Sequence, residues 1–221
     1  MKLRLIQALY NSEGLFDEVF QGGMALSGVD KWTPEHGDVL LLHGGADISP
    51  TLYNSQPSAR GCKMVDPSQR DLKEVSFVNR AIQNNVPIIG ICRGAQLLCA
   101  MNGGQLFQHV ESHDGTDHII HTTSSDKKVI ANSIHHQMMR LKGVTHQLLA
   151  WTIKRSNVHE VGPDDDKVEE WEVRLEPEVV WFPQVKGLGI QGHPEMVSKA
   201  TSFYKYCLNT IEEYVCKEFK A

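Results

Sequence analysis

The chain has 221 residues, with 22 Lys and Arg against 27 Asp and Glu and a formal net charge of -5. A mildly acidic chain without a basic run cannot neutralise a phosphate backbone or an anionic membrane surface, so neither nucleic acid nor a membrane is an expected partner. No stretch approaches the roughly 20 consecutive apolar residues of a membrane span, and residues 1–10 carry no signal-peptide core, which predicts a soluble, cytoplasmic protein.

In chain order, residues 2–8 read as a first strand. After a polar segment comes Asp38-Val-Leu-Leu-Leu-His, an apolar run short enough for a buried strand, ending at Gly44-Gly45. The apolar spacing of Leu72, Val75, Val78, Ala81 and Ile82 predicts a helix over 68–84, closed by Asn84-Asn85. Val86-Pro-Ile-Ile-Gly-Ile reads as another buried strand and runs straight into a helix-forming stretch, 92–101, that stops at Asn102-Gly103-Gly104. This alternation predicts a mainly parallel sheet covered on both faces. The second half differs, with strands expected over 127–130, 147–154, 171–175, 179–182 and 187–190. A final helix is expected over 198–219, burying Phe203, Tyr206, Cys207 and Ile211. The charged run 162–170 reads as a solvated excursion.

Five cysteines at irregular spacings (Cys62, Cys92, Cys99, Cys207 and Cys216) read as reduced thiols rather than a disulfide framework. Cys92 has a distinctive setting, Gly90-Ile-Cys92-Arg-Gly94-Ala-Gln96. Small residues two before and two after permit a sharp strand-to-helix turn that lifts the side chain out of the sheet edge. The helix N-terminus favours a thiolate there. A structural Cys in a Gly-rich turn shares that local pattern; the other four cysteines lack it. A thiolate nucleophile needs a base and a group to orient the base. Gln191-Gly-His193-Pro-Glu195 supplies both, since in extended backbone residues two apart share a side.

With these residues the sequence resembles the class I glutamine amidotransferase superfamily, and within it the peptidase C26-like branch of γ-glutamyl-γ-aminobutyrate hydrolase and other γ-glutamyl hydrolases. Gly-Ile-Cys-Arg-Gly-x-Gln followed by Gly-His-Pro-Glu carries the resemblance. His43-Gly-Gly-Ala-Asp47-Ile-Ser-Pro50, Arg70-Asp71-x-x-Glu74, Asn102-Gly-Gly-x-Leu106 and Asn132-Ser133-Ile-His135-His136-Gln137 extend it over most of the chain. It implies one class I glutamine amidotransferase-like domain over 1–221: α/β, with a flavodoxin-like, mainly parallel sheet flanked by helices and an additional antiparallel portion.

Carried over by position, the resemblance implies Cys92 as nucleophile, His193 as proton shuttle and Glu195 as its orienter. It puts the oxyanion hole at the backbone N–H groups of Gly45 and Arg93, with Gln96, Asp47, Ser133 and His135 shaping the glutamyl pocket. It implies neither metal nor cofactor. His43 stands where the family usually has Pro and reads as a packing residue. The cluster His109, His113, Asp117, His118 and His121 matches no closed zinc-ligand spacing and is expected to be structural or to rim the substrate. Three functions remain open: a hydrolase of a small γ-glutamyl substrate, a glutaminase subunit passing ammonia to a separate synthetase or amide ligase, and a non-catalytic binding relative.

Overall fold

The computed structural model describes residues 3–123, 128–163 and 168–220. Lys2, Lys127 and the 164–167 portion of the charged run, each part of a sequence expectation, lie outside the described residues.

The strands are β1 (Leu3–Ala8), β2 (Phe20–Leu26), β3 (Asp38–Leu42), β4 (Ile88–Ile91), β5 (Gln105–Phe107), β6 (His109–Val110), β7 (His118–Thr122), β8 (Val129–Ala131), β9 (Met138–Arg140), β10 (Gln147–Ile153), β11 (His159–Glu160), β12 (Leu175–Phe182) and β13 (Gly187–Ile190). The α-helices are α1 (Gln69–Gln83), α2 (Arg93–Met101), α3 (Glu170–Arg174) and α4 (Ser202–Thr210). Nine strands form one sheet in the order β2-β1-β3-β4-β13-β12-β10-β7-β8. Pairing is parallel from β2 to β13 and antiparallel from β13 to β8. The parallel half has the flavodoxin-like 2-1-3-4-5 order, and the antiparallel extension is inserted between its fourth and fifth strands.

Burial on both faces explains why the central strands read as unbroken apolar runs. In β3, Val39 and Leu41 join Leu188, Ile190, Phe203 and Cys207 in one core. Leu40 and Leu42 join Phe77, Val78, Leu97 and Leu98 in the other. Helix α1 opens with a capping box, the Asp71 N–H donating to Ser68 Oγ and the Ser68 N–H to Asp71 Oδ2.

Three expectations are corrected. Residues 171–175 are largely helical, because the Glu172 carboxylate accepts the Glu169 N–H in a reciprocal cap and is held by Arg140 at 2.6 Å and Lys142 at 3.0 Å; strand pairing begins only at Leu175. Strand β2 lacked a periodic signal because it is an edge strand with five of its seven residues exposed. The last helix starts at Thr201, whose hydroxyl accepts the Tyr204 N–H. Its regular α geometry stops at Thr210, passing into a π turn (Ile211–Val215) and a 3-10 turn (Cys216–Phe219). Phe203, Tyr206, Cys207 and Ile211 are buried as expected.

Candidate active site

The C-terminal ends of β3, β4 and β13 bring the sequence-predicted residues together. Cys92 links β4 to α2 with φ 49° and ψ -105°, a backbone geometry costly for any residue with a Cβ. Its N–H donates to the Ile190 carbonyl at 2.7 Å, and its own carbonyl accepts the Gln96 N–H at 3.0 Å. The two glycines are required by contact: a Cβ on Gly90 would meet the Gly94 carbonyl at 2.4 Å, and one on Gly94 the Leu42 carbonyl oxygen at 2.4 Å.

His193 follows β13. Its Nδ1 donates to Glu195 Oε1 at 2.7 Å, and the ring and Cys92 both flank Gly44, where a Cβ would lie 2.6 Å from His193 Cε1 and 3.5 Å from Cys92 Cβ. Burial opposes a charged ring, but the interactions with Cys92 and Glu195 prevail and raise the His193 pKa to about 10. Glu195 reaches the ring through a 3-10 turn, Pro194–Met196, closed by the Met196 N–H on the His193 carbonyl, rather than through the extended segment expected. Glycine is needed at position 44 too, since a Cβ there would lie 2.6 Å from His193 Cε1.

The His43–Gly45 loop is held from behind. Arg70 Nη2 donates to the carbonyls of His43 and Gly44, at 2.9 Å each, and Arg70 Nε donates to Glu74 at 2.9 Å. Glu74 and Asp71 pair in turn with the buried Arg93 guanidinium. Gly45 has φ 141°, and a Cβ on it would meet Arg70 Nη1. Among the described residues, no hydrogen bond occupies the backbone N–H of Gly45 or of Arg93. His43 is buried and bonds Gln7 Oε1 at 3.0 Å; burial lowers its pKa, leaving a neutral packing residue.

The remaining site candidates are arranged less directly. Gln96 Nε2 and His135 Nδ1 both donate to the Gln137 carbonyl, at 3.0 and 2.9 Å. Ser133 turns its hydroxyl to the His113 carbonyl, and Asp47 accepts His136 Nε2 at 3.1 Å, which raises the His136 pKa. Burial first, then neighbouring imidazoles, keeps His135 neutral.

Sequence reasoning gave no role to three neighbours. Asn132 brackets His193, accepting its N–H and donating to its carbonyl, both at 2.9 Å. Gln191 Nε2 donates to Cys92 Sγ at 3.8 Å. The Gln137 side-chain amide is buried without a partner. All three stand inside motifs read from the sequence, Asn132 and Gln137 in 132–137 and Gln191 in 191–195, which was the signal that pointed to them. The other cysteines are buried free thiols whose pKa burial raises, Cys99 to about 12 and Cys216 to about 11.

Residues 33–195 match the peptidase C26 family. The chain belongs to that family. Protein NtpR of Enterococcus hirae is 30% identical over 187 residues, 75% of this chain and 70% of NtpR. The γ-glutamyl-γ-aminobutyrate hydrolase of Escherichia coli O157:H7 is 31% identical over 81 residues, 35% of this chain and 29% of that enzyme. This peptidase C26 chain spans about half the length of other curated relatives that it matches. A glutamine amidotransferase from Thermotoga maritima superposes with a TM-score of 0.58 at 14% identity, over 99% of this chain and 86% of that one. That likeness establishes the class I glutamine amidotransferase fold. Among the described residues, no helix is long and apolar enough to cross a membrane.

Proposed function

We propose that this peptidase C26 chain hydrolyses a γ-glutamyl amide through a γ-glutamyl thioester on Cys92. The observation that carries this reading is Cys92 on its strained elbow, beside His193 across Gly44, with His193 hydrogen-bonded to Glu195. The thiolate adds to the γ-carbonyl carbon, and the oxyanion takes the free N–H groups of Gly45 and Arg93. The carbon–nitrogen bond breaks as His193 gives its proton to the departing amine. Water then adds to the thioester, His193 accepting its proton, and glutamate leaves with Cys92 restored. Glu195 holds the imidazole with Nδ1 protonated, so that Nε2 serves the reacting atoms. Asp47, Gln96, Ser133 and His135 shape the glutamyl pocket, the last three by fixing the loop that bears Gln137.

The test is glutamate release by the purified chain from glutamine and from a panel of γ-glutamyl amines, with Cys92→Ala as the control. Rapid Cys92-dependent cleavage of one γ-glutamyl amine, with glutamine a poor substrate, is expected. Absence of turnover on every substrate would sink the free-standing hydrolase and leave the glutaminase subunit, active only when a synthetase is added.

A further inference from the structure

Beside the candidate active site, His113, His118 and Glu178 bring their ligating atoms within 4.8 Å of one another, all three side chains buried. The carboxylate and the two rings are crowded together. His113 Nε2 lies 2.9 Å from Glu176 Oε2, while its Nδ1 faces Glu178 Oε1 at 4.0 Å. Ser133 Oγ, 3.5 Å from that Nδ1, directs its proton to the His113 carbonyl. His118 Nε2 lies 2.6 Å from Glu178 Oε1, and its Nδ1 is 3.5 Å from the Thr116 carbonyl. Each ring thus has an oxygen facing both of its nitrogens. Glu178 Oε2 is buried with no partner at all.

We propose that His113 Nδ1, His118 Nε2 and the Glu178 carboxylate form a structural site for a divalent transition metal of the zinc class. Two imidazoles and a carboxylate suit that ion. The two inner nitrogens and one oxygen of the Glu178 carboxylate, whose Oε2 is buried without a partner among the described residues, give three ligands, and a water would be the fourth. Donors around tetrahedral zinc lie about 3.3 Å apart, against 2.6 and 4.0 Å from Glu178 Oε1 to the two rings and no separation above 4.8 Å. The second shell is in place, because the far nitrogen of each ring is taken, His113 by Glu176 and His118 by Thr116. Glu176 is fixed by the backbone N–H groups of Arg155 and Ser156 and by His159 Nε2, each at 3.0 Å.

The ion would join β7 to β12 across the intervening β10. It would also brace the segment on which His135 stacks against His113 at 4.8 Å. The Glu178 carbonyl already accepts the Gln191 N–H at 2.8 Å, next to the His193 segment. The site is separate from the proposed hydrolysis, which needs no metal.

The experiment is metal analysis of the tag-free chain purified from zinc-supplemented cells. Zinc and cobalt(II) titrations of the stripped protein follow, run in parallel on Cys92→Ala to exclude the active-site thiolate. About one zinc per chain is expected in both proteins, together with the visible bands of tetrahedral cobalt and no thiolate charge-transfer band. Glu178→Gln should abolish stoichiometric binding. Glu176→Gln, which touches only the outer shell, should weaken it roughly 10- to 100-fold. Far-UV circular dichroism checks that both variants fold. Zinc and cobalt failing to bind the folded wild-type chain, or binding folded Glu178→Gln as tightly, would overturn the site and leave a proton-bridged histidine–glutamate network.

Discussion

At Cys92 and His193, local backbone and electrostatics act in the same direction. The imidazolium of His193 is favoured below its pKa of about 10. The raised value also sets the stability window. The contribution is complete below the ordinary histidine pKa of 6.5 and is lost as pH rises through about 10. Alkylation of Cys92 by iodoacetamide should therefore be fast at pH 7, and Glu195→Gln should slow it by removing the charge that holds the ring protonated. A rate unchanged by that substitution would remove Glu195 from the relay. Asn132→Ala deletes two hydrogen bonds to the His193 backbone, about 1–3 kcal/mol at roughly 0.5–1.5 each. An approximately tenfold fall in kcat with little change in KM is expected from steady-state kinetics.

Between elements, the buried carboxylates of α1 tie two loops to one frame. Glu74 serves Arg70, which grips the carbonyls of residues 43 and 44, and Arg93 at the start of α2. Removing one partner from a buried charge network strands the others, so Glu74→Ala should cost about 3–5 kcal/mol in denaturant unfolding. Arg70→Met should lower kcat more than it raises KM, because it frees the loop bearing Gly45; an equal change in both would assign Arg70 to ground-state binding instead.

Helix α3 offers a pH test. Burial opposes ionisation of Glu172, but Arg140, Lys142 and the Glu169 N–H outweigh it and hold its pKa below 4.5. That stabilisation is present above pH 4.5 and is lost as pH falls through the lowered value. The Tm difference between wild type and Glu172→Gln should thus be large at pH 7 and vanish toward pH 2. From the sequence, a strand is expected over 171–175. What selected the helix is an ion pair with Arg140, 32 positions away.

Across the whole molecule, one core mixes residues from the parallel and antiparallel halves: Leu3, Val39 and Ile89 share it with Leu149, Val179 and Trp181. A chain whose core is shared in this way should unfold as one unit. Circular dichroism and tryptophan fluorescence are expected to give coincident denaturation curves, and separate midpoints would divide the chain into two domains.

The parallel half was legible because local signals there are strong: unbroken apolar runs, the Gly-x-Cys-x-Gly turn and the capped α1 each report their own geometry. The same local chemistry singled out Cys92, His193 and Glu195 before any distance was known. Strand order and the edge position of β2 were decided by pairing between distant segments. So were the Asn132 bracket, the Arg70 grip on the carbonyls of residues 43 and 44 and the convergence of His113 and His118 on Glu178, 60 or more positions away in sequence. Side chains alone specify which groups have reactive chemistry, but a buried polar atom's partner is set by whichever segment the fold brings within hydrogen-bond reach.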